Sequence, residues 1–219
     1  AELFPYYGAH NTSKRYKSQI AWTDETKAKV WQAVVKRKIL CQAAVLLNNG
    51  FAAEAEMLAG YAEEVAAGDL TNREGHAAKV YFNCILPEGV VRRGGGFING
   101  CLNYGYAVLL STINREVVAS GYLTQLGMWH DNEFNRFNFS SDLIEPLRTV
   151  VDEAALSLEE GDEKFKSKMA GVLNFSAEIC GRKTTFDVAI RQYVRSVINA
   201  LSSGDTEGII FPENVKANE

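Results

Sequence analysis

The chain has 219 residues, 47% of them hydrophobic, with a net charge of −4, enough apolar content to bury one sizeable core. Its longest apolar runs, "AAVLL" at 43–47 and "YAVLL" at 106–110, fall far short of the roughly 20 residues that a membrane span requires, and no signal peptide pattern appears. Four cysteines (Cys41, Cys84, Cys101, Cys180) without a CxxC pair suggest neither a zinc ribbon nor a disulfide framework, fit a reducing cytoplasm, and read as small core residues.

In chain order, "AELFPYYG" lacks an initiator Met and holds a proline close to a glycine, which is expected of a piece of something longer. Thr23 is a candidate N-cap, Asp24 and Glu25 fill a first turn, and apolar residues recur at helical spacing through "VWQAVVKRKILCQAAVLL", with Gly50 at its end. An Ala-rich helix is expected from about Ala52 to Ala67, and Thr71 or Asn72 caps a third through "REGHAAKVYFNCIL". The glycines of "VVRRGGGFING" mark a loop, after which "CLNYGYAVLLSTINREVVASGYL" forms a long buried helix. Ser140 or Ser141 caps a helix continuing toward Leu158, two more follow around 162–172 and 184–202, and a polar tail closes the chain. Strands are expected only at the extreme ends, so the reading is an all-α, multi-helix domain without repeats.

Charge is segregated along this order. Residues 1–50 carry eight Lys or Arg against three acids, 51–72 five acids and no base, 151–181 seven acids against three bases, and 182–203 four bases against one acid. The acidic total therefore leaves room for a polyanion-binding patch, and solvated helix faces account for the pattern equally well.

Two stretches carry candidate chemistry. Glu74 lies in the first turn of the third helix, with Ala77, Ala78, Tyr81 and Phe82 following on its face, whereas His76 points about 200° away. It is a candidate ligand or an acid that stabilises the helix dipole. In "GMWHDNEFNRFNFSSDLIEPLR", residues 127–148, His130 stands in a loop before a helix start whose Asp142 and Glu145 share one face. One imidazole with two or three carboxylates suits Mg²⁺ or Mn²⁺, the nitrogen favouring Mn²⁺; an ordinary connector with an acidic helix start has the same spacing.

Beyond single residues, "NREGHAAKVYF" (72–82), "LNYGYAVLL" (102–110), "NREVVASGYLTQLGMWHDNEFNRFN" (114–138) and "SDLIEPLR" (141–148) resemble the CRISPR-associated integrase of spacer acquisition, the first-numbered Cas protein, in its type II form. The similarity runs from "PYYGAHNTSKR" through "DVAIRQYVRSVINAL". It implies a helical catalytic domain of which this chain is the C-terminal part, the N-terminal β domain of the family being absent. On that reading, residues 1–22 are an interdomain linker, 23–203 the metal-dependent catalytic domain and 204–219 a C-terminal tail. Glu74, His130 and Glu145 match the family's catalytic metal ligands, the last an Asp in many relatives. Asp142, Asn103 and Arg148 are expected to support them from behind, and Arg73, Arg92, Arg93, Arg115 and Arg136 are candidates for phosphate contacts.

The implied chemistry is phosphodiester transesterification with Mg²⁺ or Mn²⁺, in which the 3′ hydroxyl of a prespacer duplex attacks CRISPR repeat DNA, with endonuclease hydrolysis as a side reaction. The implied partners are prespacer and repeat DNA, a second copy in the complete protein, the small ferredoxin-like second-numbered Cas protein, the type II effector nuclease and a ring-forming adaptation protein. A prokaryotic cytoplasmic location with no membrane follows. The alternative is a catalytically silent helical module that binds protein or DNA.

Overall fold

The computed structural model describes residues 12–92 and 94–217. Among them the order is α1 (Thr12–Ile20), α2 (Asp24–Asn48), α3 (Ala52–Glu63), α4 (Arg73–Ile85), α5 (Phe97–Ala119), α6 (Asn138–Ile144), α7 (Arg148–Leu156), α8 (Phe165–Gly171), β1 (Ser176–Ile179), β2 (Arg182–Thr185), α9 (Phe186–Ser203) and β3 (Glu213–Lys216). Arg93, and residues 1–11 of the segment expected to be a linker, lie outside the described residues.

Helix α2 is the spine. Thr23 caps it as expected, its Oγ1 accepting from the Thr26 amide at 3.2 Å, and Gly50 at φ 89° follows its last turn. It is buried along much of its length, through Val30, Trp31, Val34, Val35, Lys38, Ile39 and Gln42, because α3, α4, α7, α9 and the turn before α7 all pack on it. Helix α5 forms the second axis and packs against α6, α7, α8 and α9. Its "NYGYA" segment places Gly105 where a Cβ would stand 2.5 Å from Val151 Cγ1 and 2.6 Å from Met169 Cε, so glycine permits the close approach of α7 and α8.

The chain is mainly helical, but the all-α expectation is wrong. The strands form a three-stranded antiparallel sheet in the order β2-β1-β3, and β1 and β2 lie in the interior of the sequence, where no strand was expected. Cys180 (φ 51°) and Gly181 (φ 70°) form a two-residue hairpin loop with both central residues left-handed, which matches the twist of paired strands. The reason the pattern escapes notice is length: β1 has four residues, with only Ala177 and Ile179 buried. Its other partner, β3, comes from the segment read as a polar tail. The cysteine expectation also needs correction, because only Cys101 is buried and Cys180 sits exposed in the hairpin.

Local boundaries differ in ways that matter for the candidate ligands. Helix α1, unforeseen in the sequence, pins the segment leading to His130: Gln19 donates to Leu123 and Leu126 carbonyls at 2.8 and 2.9 Å and accepts from the Leu123 amide at 2.8 Å. Helix α6 starts at Asn138, before Ser140 and Ser141, and runs through a 3-10 turn at Glu145–Leu147 into α7.

The α5 contact is testable. Gly105→Ala is expected to destabilise the protein by about 1–3 kcal/mol, since Met169 can yield but the β-branched Val151 has little freedom; equilibrium urea unfolding followed by circular dichroism measures it.

Candidate active site

Helix α4 begins with unusual backbone. Gly68 (φ 74°), Asp69 (φ 44°) and Asn72 (φ 53°) are left-handed, and the buried Asp69 carboxylate accepts from the amides of Arg73 at 2.8 Å and Glu74 at 2.9 Å. The cap is therefore Asp69; neither Thr71 nor Asn72 makes a side-chain capping bond. This fixes the first turn and so the direction of Glu74, while His76 is exposed on the other face.

The loop carrying His130 is gathered by a single side chain. Asp142, fully buried on α6, accepts from the amides of Met128 (2.7 Å), Trp129 (3.1 Å) and His130 (2.9 Å), and lies 2.6 Å from His130 Nδ1. Gly127 is required at the tight point, because a Cβ there would stand 2.9 Å from Asp142 Oδ2. The asparagines of "DNEFNRFN" satisfy the loop backbone: the Asn138 side chain donates to the Gln125 and Asn132 carbonyls, and Asn132 and Asn135 accept from amides two residues on.

Trp31 of α2 joins this loop to α4. Its ring stacks on Trp129 at 5.9 Å and meets the His130 ring edge-on at 5.8 Å. Trp129 in turn lies over Gly68, where an added Cβ would stand 3.0 Å from its Cη2. The aromatic contacts thus bring the His130 loop beside the start of α4.

At the centre is Lys38, a residue on the buried stripe of α2. Its ammonium donates to Glu74 Oε1 at 2.5 Å and also to Glu145 Oε2. Arg148 closes the other side of Glu145, with Nε 3.0 Å and Nη2 2.9 Å from Oε1. Burial pushes the Glu145 carboxyl up, but Lys38 and Arg148 outweigh it and hold its pKa at about 2. Relative to an ordinary glutamate this corresponds to about 3 kcal/mol of stability, present above the unfolded-state value and lost as pH falls through about 2. Burial likewise opposes the charge of Lys38, yet Glu145 and Glu74 raise its pKa overall, so the ammonium stays charged. The hydrogen bond to Asp142 raises His130 above its ordinary value against partial burial, with Glu145 and Glu74 adding to the shift.

Of the three expected ligands, Glu74 of α4 and Glu145 of the 3-10 turn meet on Lys38, and His130 of the 127–138 loop lies near enough for both acids to add to its raised pKa. Asp142 and Arg148 support them directly. Asn103 touches none of them and instead accepts from Arg92 at 3.1 Å. Arg92 lies over the Tyr106 ring at 5.1 Å, and Arg148 over the same ring at 4.6 Å. Arg73 pairs with Glu64 and Arg115 with Glu116, while the carbonyl of Arg136 accepts from Thr124. Lys38 and Trp31 are the contributors that sequence reading missed. A lysine in register with Trp31, Val34 and Val35 was the available signal, since an unpaired ammonium does not belong on an apolar stripe.

Two carboxylates and one imidazole are a suitable donor set for a hard divalent cation, and Asp142 on Nδ1 leaves Nε2 as the ligating nitrogen, the usual support for a metal-bound histidine. Among the described residues, no group of three or more His, Cys, Asp or Glu is already arranged to hold a metal, and Lys38 occupies oxygens of Glu74 and Glu145.

Asp142→Asn is expected to cost about 2–4 kcal/mol, because an amide nitrogen then faces backbone donors. A raised histidine pKa contributes stability that is full below the unfolded value and lost as pH rises through the folded one. The stability gap between Asp142→Asn and the original protein should thus be largest near pH 5 and narrow toward pH 8, with the His130 titration moving down in NMR; a gap that widens with pH contradicts the pairing.

Comparison with known proteins identifies the family. The family model described as CRISPR associated protein Cas1 matches residues 3–173. A curated CRISPR-associated endonuclease Cas1 of Neisseria meningitidis serogroup C (strain 8013) is 32% identical over 225 residues, covering all of this chain and 74% of that protein. Among solved structures, a casposase bound to integration product superposes with TM-score 0.72 at 20% identity over 93% of this chain and 72% of that one. A chain of a Cas6-RT-Cas1–Cas2 complex does so with TM-score 0.75 at 18% identity, over 94% and 27%. The last two likenesses concern the fold, whereas the family match and the Neisseria relative show that this chain belongs to the Cas1 family.

Proposed function

We propose that this chain carries the catalytic centre of a metal-dependent DNA integrase and endonuclease of CRISPR spacer acquisition. The observation that carries the reading is the meeting of Glu74 and Glu145 on Lys38, with His130 near enough to feel both acids, in a member of the Cas1 family. The Neisseria relative's description as an endonuclease and the casposase's integration product support the two activities.

In this reading Glu74, Glu145 and His130 would hold Mg²⁺ or Mn²⁺, which when bound would supply Lewis-acid stabilisation to a phosphodiester under attack. The remaining work belongs to the protein. Asp142 accepts from Nδ1–H, so in the neutral imidazole the lone pair is on Nε2, and it fixes the loop through the three amides it also holds. Arg148 anchors Glu145 and is itself held against Tyr106, so the carboxylate is positioned before DNA arrives. A DNA 3′ hydroxyl as nucleophile gives strand transfer, and water gives hydrolysis. The Cas1–Cas2 complex among the structural neighbours supports a second-numbered Cas protein as partner; the type II assignment, the C-terminal-domain assignment and the homodimer rest on the sequence resemblance.

In the complete protein, Glu74→Ala, His130→Ala and Glu145→Ala should each lower Mn²⁺-dependent strand transfer into repeat DNA by at least about a hundredfold, since a site with three protein ligands cannot spare one. Near-normal integration by purified Glu74→Ala overturns the assignment.

DNA binding should depend steeply on salt and little on sequence, with the logarithm of affinity falling by about 0.9 per logarithm of salt for each phosphate neutralised. Fluorescence anisotropy of a labelled duplex at several salt concentrations checks this. A flat salt profile, or no binding at low salt, counts against a DNA surface on this chain.

A further inference from the structure

Lys38 is not explained by the ligand set around it. Its side chain is 8% exposed, in the middle of the α2 stripe formed by Trp31, Val34 and Val35, where an ammonium is expensive to hold. One carboxylate would balance one lysine. Here it takes two, Glu74 from α4 and Glu145 from the turn before α7, and these are the same two carboxylates assigned to the metal.

The geometry has a direct electrostatic consequence. Two carboxylates bonded to one nitrogen repel each other strongly once that nitrogen is removed, so the pair stays ionised and close only with a cation between its oxygens. The ammonium and a divalent ion are therefore alternatives for that place. Glu145 is also clamped by Arg148 on its other oxygen, and Glu74 is fixed by the Asp69-capped first turn, so neither acid needs to swing to change partners. The lysine is the mobile member, a point charge on a four-carbon stem, whereas a guanidinium would hold the carboxylates in a rigid fork.

We propose that Lys38 is an internal counter-cation of the candidate centre: it holds Glu74 and Glu145 in register in the metal-free protein and leaves their oxygens when a divalent ion binds. The inference rests on the metal reading given above and adds a regulatory element to it. Lys38 is a positioning residue, and its competition sets the apparent metal affinity of the DNA-free protein. By linkage, whatever holds the carboxylates before the ion arrives lowers that affinity by the cost of its displacement.

The test is Mn²⁺ binding to the purified, DNA-free protein, read from the free-ion EPR signal, together with thermal unfolding in EDTA. Lys38→Met should bind Mn²⁺ more tightly than the original protein, by about tenfold or more. It should also melt at lower temperature in EDTA, with Mn²⁺ recovering most of the difference. Lys38→Arg retains the charge, should fold even where Lys38→Met does not, and should bind Mn²⁺ more weakly than the original, because the fork is harder to displace. If the original protein binds Mn²⁺ and Lys38→Met binds no tighter, or Lys38→Arg binds as tightly as lysine, the exchange is overturned while the metal site stands. Binding by none of the three overturns the exchange together with the metal assignment.

Discussion

A buried carboxylate stays charged only if the protein supplies a cation, and this fold is arranged around that constraint. Glu145 is 5% exposed and still ionised because Lys38 and Arg148 approach it from opposite sides. Satisfying it fixes the mutual position of α2, the 3-10 turn and α7. Lys38 then ties the same point to Glu74 and so to α4. Removing either cation would leave an uncompensated charge in the interior, a loss on the order of 3–5 kcal/mol, which is why this arrangement is a strict one.

A second buried acid extends the arrangement into the core. Asp152 on α7 accepts from Tyr81 of α4 at 2.9 Å and from Tyr106 of α5. Burial pushes its carboxyl up to about 6, and the two tyrosine hydrogen bonds with Arg148 offset that only in part. Tyr106 presents its ring to Arg148, which grips Glu145. The helices that carry the candidate ligands are thus joined by polar contacts as well as by apolar packing, and polar contacts specify geometry more narrowly than aliphatic ones do.

What could be read from the sequence was local or carried by long motifs. The Thr23 cap and the helical period of α2 involve neighbours a few residues apart, and the motifs drew attention to Glu74 and Glu145, which meet on Lys38. Asp142 was legible as an acid beside the loop, though not as the acceptor of three of its amides. The sheet was missed because β1 is completed by β3, 40 positions away at the Ser176–Lys216 pair, and because its own alternation spans only four residues. Pairing at that distance leaves no periodic mark on either segment.

Lys38 shows a different kind of illegibility. In "VKRK" it reads as one more member of a basic segment, and its neighbour Arg37 does behave so, donating to the Pro212 carbonyl at 3.0 Å with its guanidinium over the Phe211 ring. A rotation of about 100° around the helix separates the two fates. Arg37 faces the C-terminal segment, whereas Lys38 falls in line with Trp31 and enters the core. Charge counting along the chain left both to a polyanion patch or a solvated helix face, yet only a side chain that stays outside can meet a phosphate. The helical register therefore decides which basic residues of α2 are available to DNA, and it places Lys38 with the carboxylates instead.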